Sequence, residues 1–233
     1  MQCIFIDTPP LDVYRQMAVD ELLVERALRP GVCIARFFNW AAGDAATFGY
    51  AQFESSARRQ ILAEGIQNYT RRPTGGGVVL HKDDLTFSLC FTHGGAFKPS
   101  AIYAALHRAI KEEFDKAAIT LSAYDKAGDY RPAPGGISSN CFTNPVSDDL
   151  LGPNGEKALG GAIRRCGDAV LYQGSLQLGA ARANAAYRAA LKNGILKYFN
   201  AEAAAQNIGN ALLNEAYALA ESRYKTKEWI EKL

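Results

Sequence analysis

Three places in the chain carry residue types that could do chemistry together. The first is Arg71 to Phe91, RRPTGGGVVLHKDDLTFSLCF. Arg71 and Arg72 offer permanently charged, planar donors for a phosphate or carboxylate. Gly75, Gly76 and Gly77 expose backbone N–H groups with no side chain in the way, and they can adopt φ values that other residues resist. Thr74 and His81 flank this loop. No GxxxxGK[ST] pattern follows, so it is not a nucleotide P-loop, and the β-branched residues after it argue against a GxGxxG turn opening a helix. On its own, a glycine run between strands is equally well explained as a tight connection.

The second place is Cys141. It follows a stretch from Ser122 to Asn140 rich in Asp, Gly, Pro and Ser, and does not sit inside an apolar strand. A loop thiol near lysine and arginine can have a lowered pKa and act as a nucleophile. A buried cysteine is otherwise an inert small hydrophobe. The third place is Lys157, in EKALGGA. A lysine beside glycines on a strand can offset negative charge developing on a carbonyl or phosphate, whereas out of context it is a solvated hairpin residue. Of the three histidines, His93 falls in a loop and His107 on a helix, where surface or structural roles are expected. No spacing suits a metal, and no structural zinc is expected.

These groups need a frame to hold them. The 233 residues are 48% apolar, enough for a full core. With no Ser/Gly-rich linker and no internal repeat, a single domain over residues 1–233 is the simplest organisation. The net charge of +2 builds no field for nucleic acid or membrane partners. No apolar run approaches a membrane span, and the opening MQCIFIDTPPLD is not a secretory signal. Five scattered cysteines without a CxxC fit free thiols and a cytoplasmic location.

Periodicity places the elements. Cys3 to Ile6 reads as a strand, and Asp12 caps a helix running to about Leu28, with Val13, Met17, Leu23 and Leu28 on one face. Val32 to Phe38 reads as a buried strand and Phe53 to Gly65 as a helix. The stretch from Arg71 reads as strand, turn, strand. Ser100 caps a helix bearing Ile102, Leu106, Ile110 and Phe114. Asp149 to Leu151, a PNG turn and Lys157 to Ala162 form a hairpin, and Ala169 to Leu178 is a further strand. Helices are expected at about Arg182 to Lys192, Ala201 to Ala220 and in the final SRYKTKEWIEKL.

The string RRPTGGGVVLH followed by LTFS resembles the signature of the lipoate–biotin ligase and octanoyltransferase superfamily. Arg71, Arg72, Thr74, Gly75, Gly76, Gly77, Val79, His81, Leu85, Thr86 and Ser88 carry the match. MAVDELLVERA resembles the superfamily's opening helix, and Arg36, Trp40, Gly49 and Gln52 resemble its second block. Lys157, Gly160 and Ala162 match KxxGxA, and Gln173-Gly174 stands where many relatives have HG. CFTNP, Cys141 to Pro145, resembles the cysteine-dependent octanoyltransferases, the LipM group, as does the three-residue step from His81 to Leu85. Lys82 replaces the Asp common in that step, and Gly77 replaces a frequent Arg.

The resemblance implies an α/β (α+β) fold of the class II aminoacyl-tRNA synthetase/biotin synthetase type, a mainly antiparallel sheet flanked by helices, without a C-terminal accessory domain. It implies an octanoyltransferase in which Cys141 carries the acyl chain and Lys157 orients the carbonyl. Arg71, Arg72, Thr74, Gly75, Gly76, Gly77, His81, Ser88, Gly160, Ala162 and Gly174 would bind substrate. The glycines would line a tunnel, with residues such as Val78 and Leu89 gripping the chain. The donor would be octanoyl-acyl carrier protein, and the acceptor a lipoyl domain such as the glycine cleavage H protein or a dehydrogenase E2 subunit. No cofactor is needed for that transfer. Two alternatives stand beside it: a lipoate-protein ligase using ATP and Mg, with a separate accessory subunit, and a non-catalytic lipoyl- or octanoyl-binding protein.

Overall fold

The computed structural model describes residues 1–26, 29–125 and 145–233. Its strands are β1 (Gln2–Asp7), β2 (Val32–Phe37), β3 (Ala45–Phe48), β4 (Asn68–Arg71), β5 (Val79–His81), β6 (Leu85–Thr92), β7 (Ser122–Ala123), β8 (Leu150–Leu151), β9 (Lys157–Cys166), β10 (Ala169–Leu176) and β11 (Glu202–Asn207). Its helices are α1 (Val13–Arg26), α2 (Glu54–Ala63), α3 (Pro99–Lys116), α4 (Ala185–Phe199), α5 (Asn210–Leu219) and α6 (Lys227–Ile230). An eight-stranded sheet has the order β11-β1-β2-β6-β10-β9-β8-β7, and a three-stranded sheet the order β4-β3-β5. In the large sheet β1 pairs parallel with β2 and β11. The pairs from β2 to β7 are antiparallel. The mainly antiparallel, helix-flanked α/β architecture is the one expected.

Side-chain alternation along β6 and β10 divides the core in two. Phe87, Leu89, Phe91, Val170 and Tyr172 face α3 and α4, packing with Leu106, Ile110, Phe114, Leu191 and Ile195. Cys90, Ala169 and Leu171 face the other way, toward Met17, Val24, Ala216 and Tyr224. On that second face the small sheet and α2 close over a separate cluster, including Phe48, Ile61 and Val78. The stretch from Arg71 to Phe91 is therefore not a hairpin. Its turn carries the chain from β5 in the small sheet to β6 in the large one.

Several expectations shift. The Asp12 cap holds, its carboxylate accepting the Arg15 N–H at 2.9 Å, and α1 covers Val13–Arg26, the expected end near Leu28 lying outside the described residues. The cap expected from Ser100 is replaced by Pro99 in the first turn of α3, where a missing N–H costs nothing. The largest change lies at Ala201 to Ala220. Asn200 takes a left-handed conformation and ends α4. After Ala201, the six residues Glu202–Asn207 form β11, in register with β1 from Gln2↔Glu202 to Asp7↔Asn207. Alanine favours helix by only a fraction of a kcal/mol per residue, so ladder bonds to the edge of β1 outweigh it.

Candidate active site

The second face of the large sheet is where the sequence motifs meet. Arg36 lies opposite Ser88, Ser88 opposite Gln173, and Gln173 opposite Ala162, giving one polar row across four strands. In the next row Thr86 lies opposite Ser175, and Ser175 opposite Gly160. Over these rows is a narrow slot, walled by Met17 of α1, Phe38, Arg72, Val79 and His81, with Gly160 to Ala162 and Gln173 to Ser175 as its floor. Its volume is about 30 Å³.

The polar floor is saturated from within. Asp20, fully buried, accepts from Arg36 Nε, Ser88 Oγ and Gln173 Nε2, each at 2.7 Å. Arg36 also donates to the side chain and carbonyl of Gln16. Gln173 Oε1 accepts from Thr74 Oγ1 at 2.7 Å, tying the glycine loop to this hub. Arg72 donates to the Gly75 carbonyl through Nε and to the Thr47 carbonyl through an Nη. Gly76 has φ +88°, and a Cβ on Gly49 would lie 1.9 Å from its carbonyl oxygen. Only glycine permits that approach. With its polar groups paired, the slot presents mainly carbon.

His81 anchors the far wall. Its Nδ1 lies 2.9 Å from Asp84 Oδ2, its Nε2 lies 3.0 Å from Thr47 Oγ1, and Trp40 stacks on the ring at 4.6 Å. Asp84 also accepts from Thr86 and Ser175. Burial alone would raise the Asp84 carboxyl, but His81 and these donors outweigh it and hold it below its ordinary range.

At the other end is Lys157, buried at the start of β9. A Cβ on Gly160 would lie 2.2 Å from its Cε and 2.6 Å from its Nζ, so the lysine runs across a glycine that also borders the slot. Its ammonium is 2.8 Å from the buried carboxylate of Asp149. Behind it, His107 Nδ1 donates to the Asp148 carbonyl and Nε2 accepts from the Tyr172 hydroxyl, both at 2.7 Å. Burial, with the Lys157 charge nearby, pushes His107 down to about 3. It is a structural neutral histidine.

Arg72, His81, Gly160, Ala162 and Gly174 thus border the slot, while Thr74 and Ser88 act from behind it. Gly75, Gly76 and Gly77 lie outside its lining. Arg71 points elsewhere. It donates to the carbonyls of Tyr50, Gln52, Trp229 and Ile230, while Trp229 Nε1 donates to its carbonyl. It fastens the C-terminal helix rather than facing the slot. Leu89 is in the core against α3 and Val78 is under α2, so neither grips a chain in the slot. Cys141 lies outside the described residues. Asp20, Asp149 and Tyr103 were missed as site residues. The only signal for the first two was an Asp in MAVDELL and one before Leu150.

The model of the lipoyl protein ligase A/B catalytic domain matches residues 12–204, and the chain belongs to that family. It is 30% identical over 190 residues to the octanoyltransferase LipM of Brevibacillus brevis, covering 75% of this chain and 65% of that protein. The chain therefore spans about 65% of that relative's length. In fold it is similar to a lipoate-protein ligase A solved with ATP, at a TM-score of 0.78 with 18% identity over the whole of both chains. It is also similar to a bipartite lipoate protein ligase of Thermoplasma acidophilum, studied with its E2 lipoyl domain, at 0.73 with 19% identity over 99% and 96% of the two chains. Among the described residues no helix is long and apolar enough to cross a membrane, and no cluster of three or more His, Cys, Asp and Glu is placed to hold a metal.

Two outcomes follow from this geometry. Arg71→Met strands four carbonyls and is expected to cost about 3–5 kcal/mol, read as a lower urea midpoint, with limited proteolysis cutting first near residues 225–232. The second concerns pH. Folded His107 resists a proton that the unfolded chain binds below about 6.5. Stability should fall by up to about 1.4 kcal/mol per unit from this residue as pH drops from about 6.5 toward 3. Urea melts of His107→Gln should show that part of the slope removed.

Proposed function

We propose that this protein is an octanoyltransferase of lipoate biosynthesis, working through a thioester on Cys141. The observation that carries this reading is the carbon-faced slot with a buried ammonium at one end, Lys157 lying across Gly160. An unbranched acyl chain suits the slot, and its carbonyl belongs beside the ammonium. The slot is narrow, and a longer chain is admitted most easily where a wall side chain can shift. Met17, with three rotatable bonds and a soft thioether, is the side chain best able to do so. Each methylene buried would contribute about 0.8 kcal/mol. The likeness to a curated LipM octanoyltransferase supports the same reading.

In the first step the Cys141 thiolate attacks the carbonyl of octanoyl-acyl carrier protein. A new C–S bond forms, the old one breaks, and the carrier thiolate leaves and takes up a proton. In the second, the neutral amine of the acceptor lysine attacks the enzyme thioester. The C–N bond forms, the Cys141 thiolate is expelled, and the amine's proton goes to it. Two easier transfers replace one. Lys157 offsets the negative charge on the carbonyl oxygen in both tetrahedral intermediates. The donor's thioester supplies the activation, so the cycle calls on neither ATP nor a metal. The acceptor is a lipoyl domain, that of a glycine cleavage H protein or a dehydrogenase E2 subunit, in the cytoplasm. The bipartite ligase studied with its E2 lipoyl domain supports that class of acceptor.

Intact mass after mixing with octanoyl-acyl carrier protein, without ATP, is the test. The expected result is a hydroxylamine-labile octanoyl adduct on the wild type, none on Cys141→Ala, and acylation slowed about 100-fold in Lys157→Met. Modification of a lipoyl domain only when ATP, Mg and free acid are supplied would replace this reading with a ligase. Tight binding of the acyl compound with no modification under either condition would make it a binding protein.

A further inference from the structure

Lys157 does not hold itself in place. Its side chain is a flexible four-carbon stem with many rotamers, and its partner Asp149 is held by two other donors. Asp149 Oδ1 accepts from the Tyr103 hydroxyl at 2.5 Å. Oδ2 accepts from the Val146 N–H at 2.6 Å as well as meeting the Lys157 ammonium at 2.8 Å. The Tyr103 hydroxyl in turn accepts the N–H of Gly161 at 2.9 Å. Gly161 borders the slot, so the chain Gly161–Tyr103–Asp149–Lys157 starts at the slot's lining and ends on the lysine that lies across Gly160. Tyr103 stands on α3, Asp149 just before β8 and Lys157 on β9, three elements brought together only by the fold.

The charges agree with a positioning role. Asp149 and Lys157 are both buried, and such a pair is weak evidence for stability, since two well-packed apolar residues could replace it at little cost. The pair faces His107, kept neutral by burial, and Tyr172, whose hydroxyl burial pushes well above its ordinary range. Neither neighbour competes for the ammonium as an anion. An ammonium has three N–H donors, so one can stay on Asp149 while another turns to an acyl oxygen. Val146 adds a second reference point, since it stands a few positions after Cys141 in the sequence.

We propose that Asp149, set by Tyr103, is the positioning residue that aims Lys157 at the acyl carbonyl. The proposal deepens the transferase reading and rests on it for the identity of the reaction.

A double-mutant cycle on Cys141 acylation tests it, with octanoyl-acyl carrier protein as donor and intact mass as readout. Asp149→Asn should lower the rate constant about 100-fold while KM for the donor stays within about threefold. Tyr103→Phe should lower it about tenfold, and Asp149→Glu should recover part of the loss. Neither Asp149→Asn nor Tyr103→Phe should lower the residual rate further in a Lys157→Met background. Factors that persist undiminished there would overturn the proposal.

A second measurement needs no turnover. Acetic anhydride labelling of the full-length protein, read by peptide mass spectrometry, should modify Lys157 about tenfold faster in Asp149→Asn and about threefold faster in Tyr103→Phe. The exposed Lys98 serves as standard. Unchanged labelling of Lys157 in both variants sinks the proposal. If labelling changes but the wild type takes up no octanoyl group, the positioning stands and the transferase reading fails. Should Asp149→Asn not fold, Tyr103→Phe decides both measurements.

Discussion

Asp20 is buried on α1, and its two oxygens take hydrogen bonds from Arg36 on β2, Ser88 on β6 and Gln173 on β10. A lone buried carboxylate would be prohibitive. Here it is matched by one guanidinium, and the remaining lone pairs are filled by neutral donors. Breaking such a centre by removing one partner typically costs about 3–5 kcal/mol. Three strands and the first helix are therefore held at a fixed spacing, and Gln173 extends the restraint to Thr74 and so to the glycine loop. The slot exists because this centre sets the distance between α1 and the sheet.

A slot suited to an apolar chain is built here from rows rich in hydroxyls and amides. Thr47, Thr86, Ser88, Gln173 and Ser175 each find partners within the wall. Their hydrogen-bonding capacity is spent sideways, leaving methyl, methylene and glycine Cα surface toward the opening. Polar residues of this kind specify geometry more sharply than aliphatic ones, because each bond has a direction. The charged group that remains at the slot's end, Lys157, is held in a separate network centred on Asp149.

Much of this frame could be read from residue order. The apolar run from Leu85 to Phe91 falls on β6, and Gly160 and Gly174 border one slot, with Lys157 lying across Gly160 and the glycine loop outside the slot's lining. Other features were illegible for physical reasons. Arg71 and Arg72 are neighbours on an extended chain, so they point to opposite sides. Only Arg72 reaches the slot, and nothing in the pair of letters says which. Leu89 faces the wrong side of β6 by the same parity. Glu202–Asn207 has helix-favouring composition, and its strand depends on the open edge of β1, a partner far away in sequence. Asp149 and Tyr103 gain their roles from a contact between a helix and a loop that no local pattern encodes.

The pairing of β1 with β11 also bears on how the chain is made. A ribosome delivers Gln2–Asp7 long before Glu202–Asn207. During synthesis β1 can find β2 early, but its other edge stays open until Glu202–Asn207 has emerged. Contacts of such long separation form slowly, and an open strand edge invites pairing with other chains. A nascent chain stalled before residue 202 would carry that unpaired edge into the crowded cell, making it a natural client for a chaperone that shields strand edges.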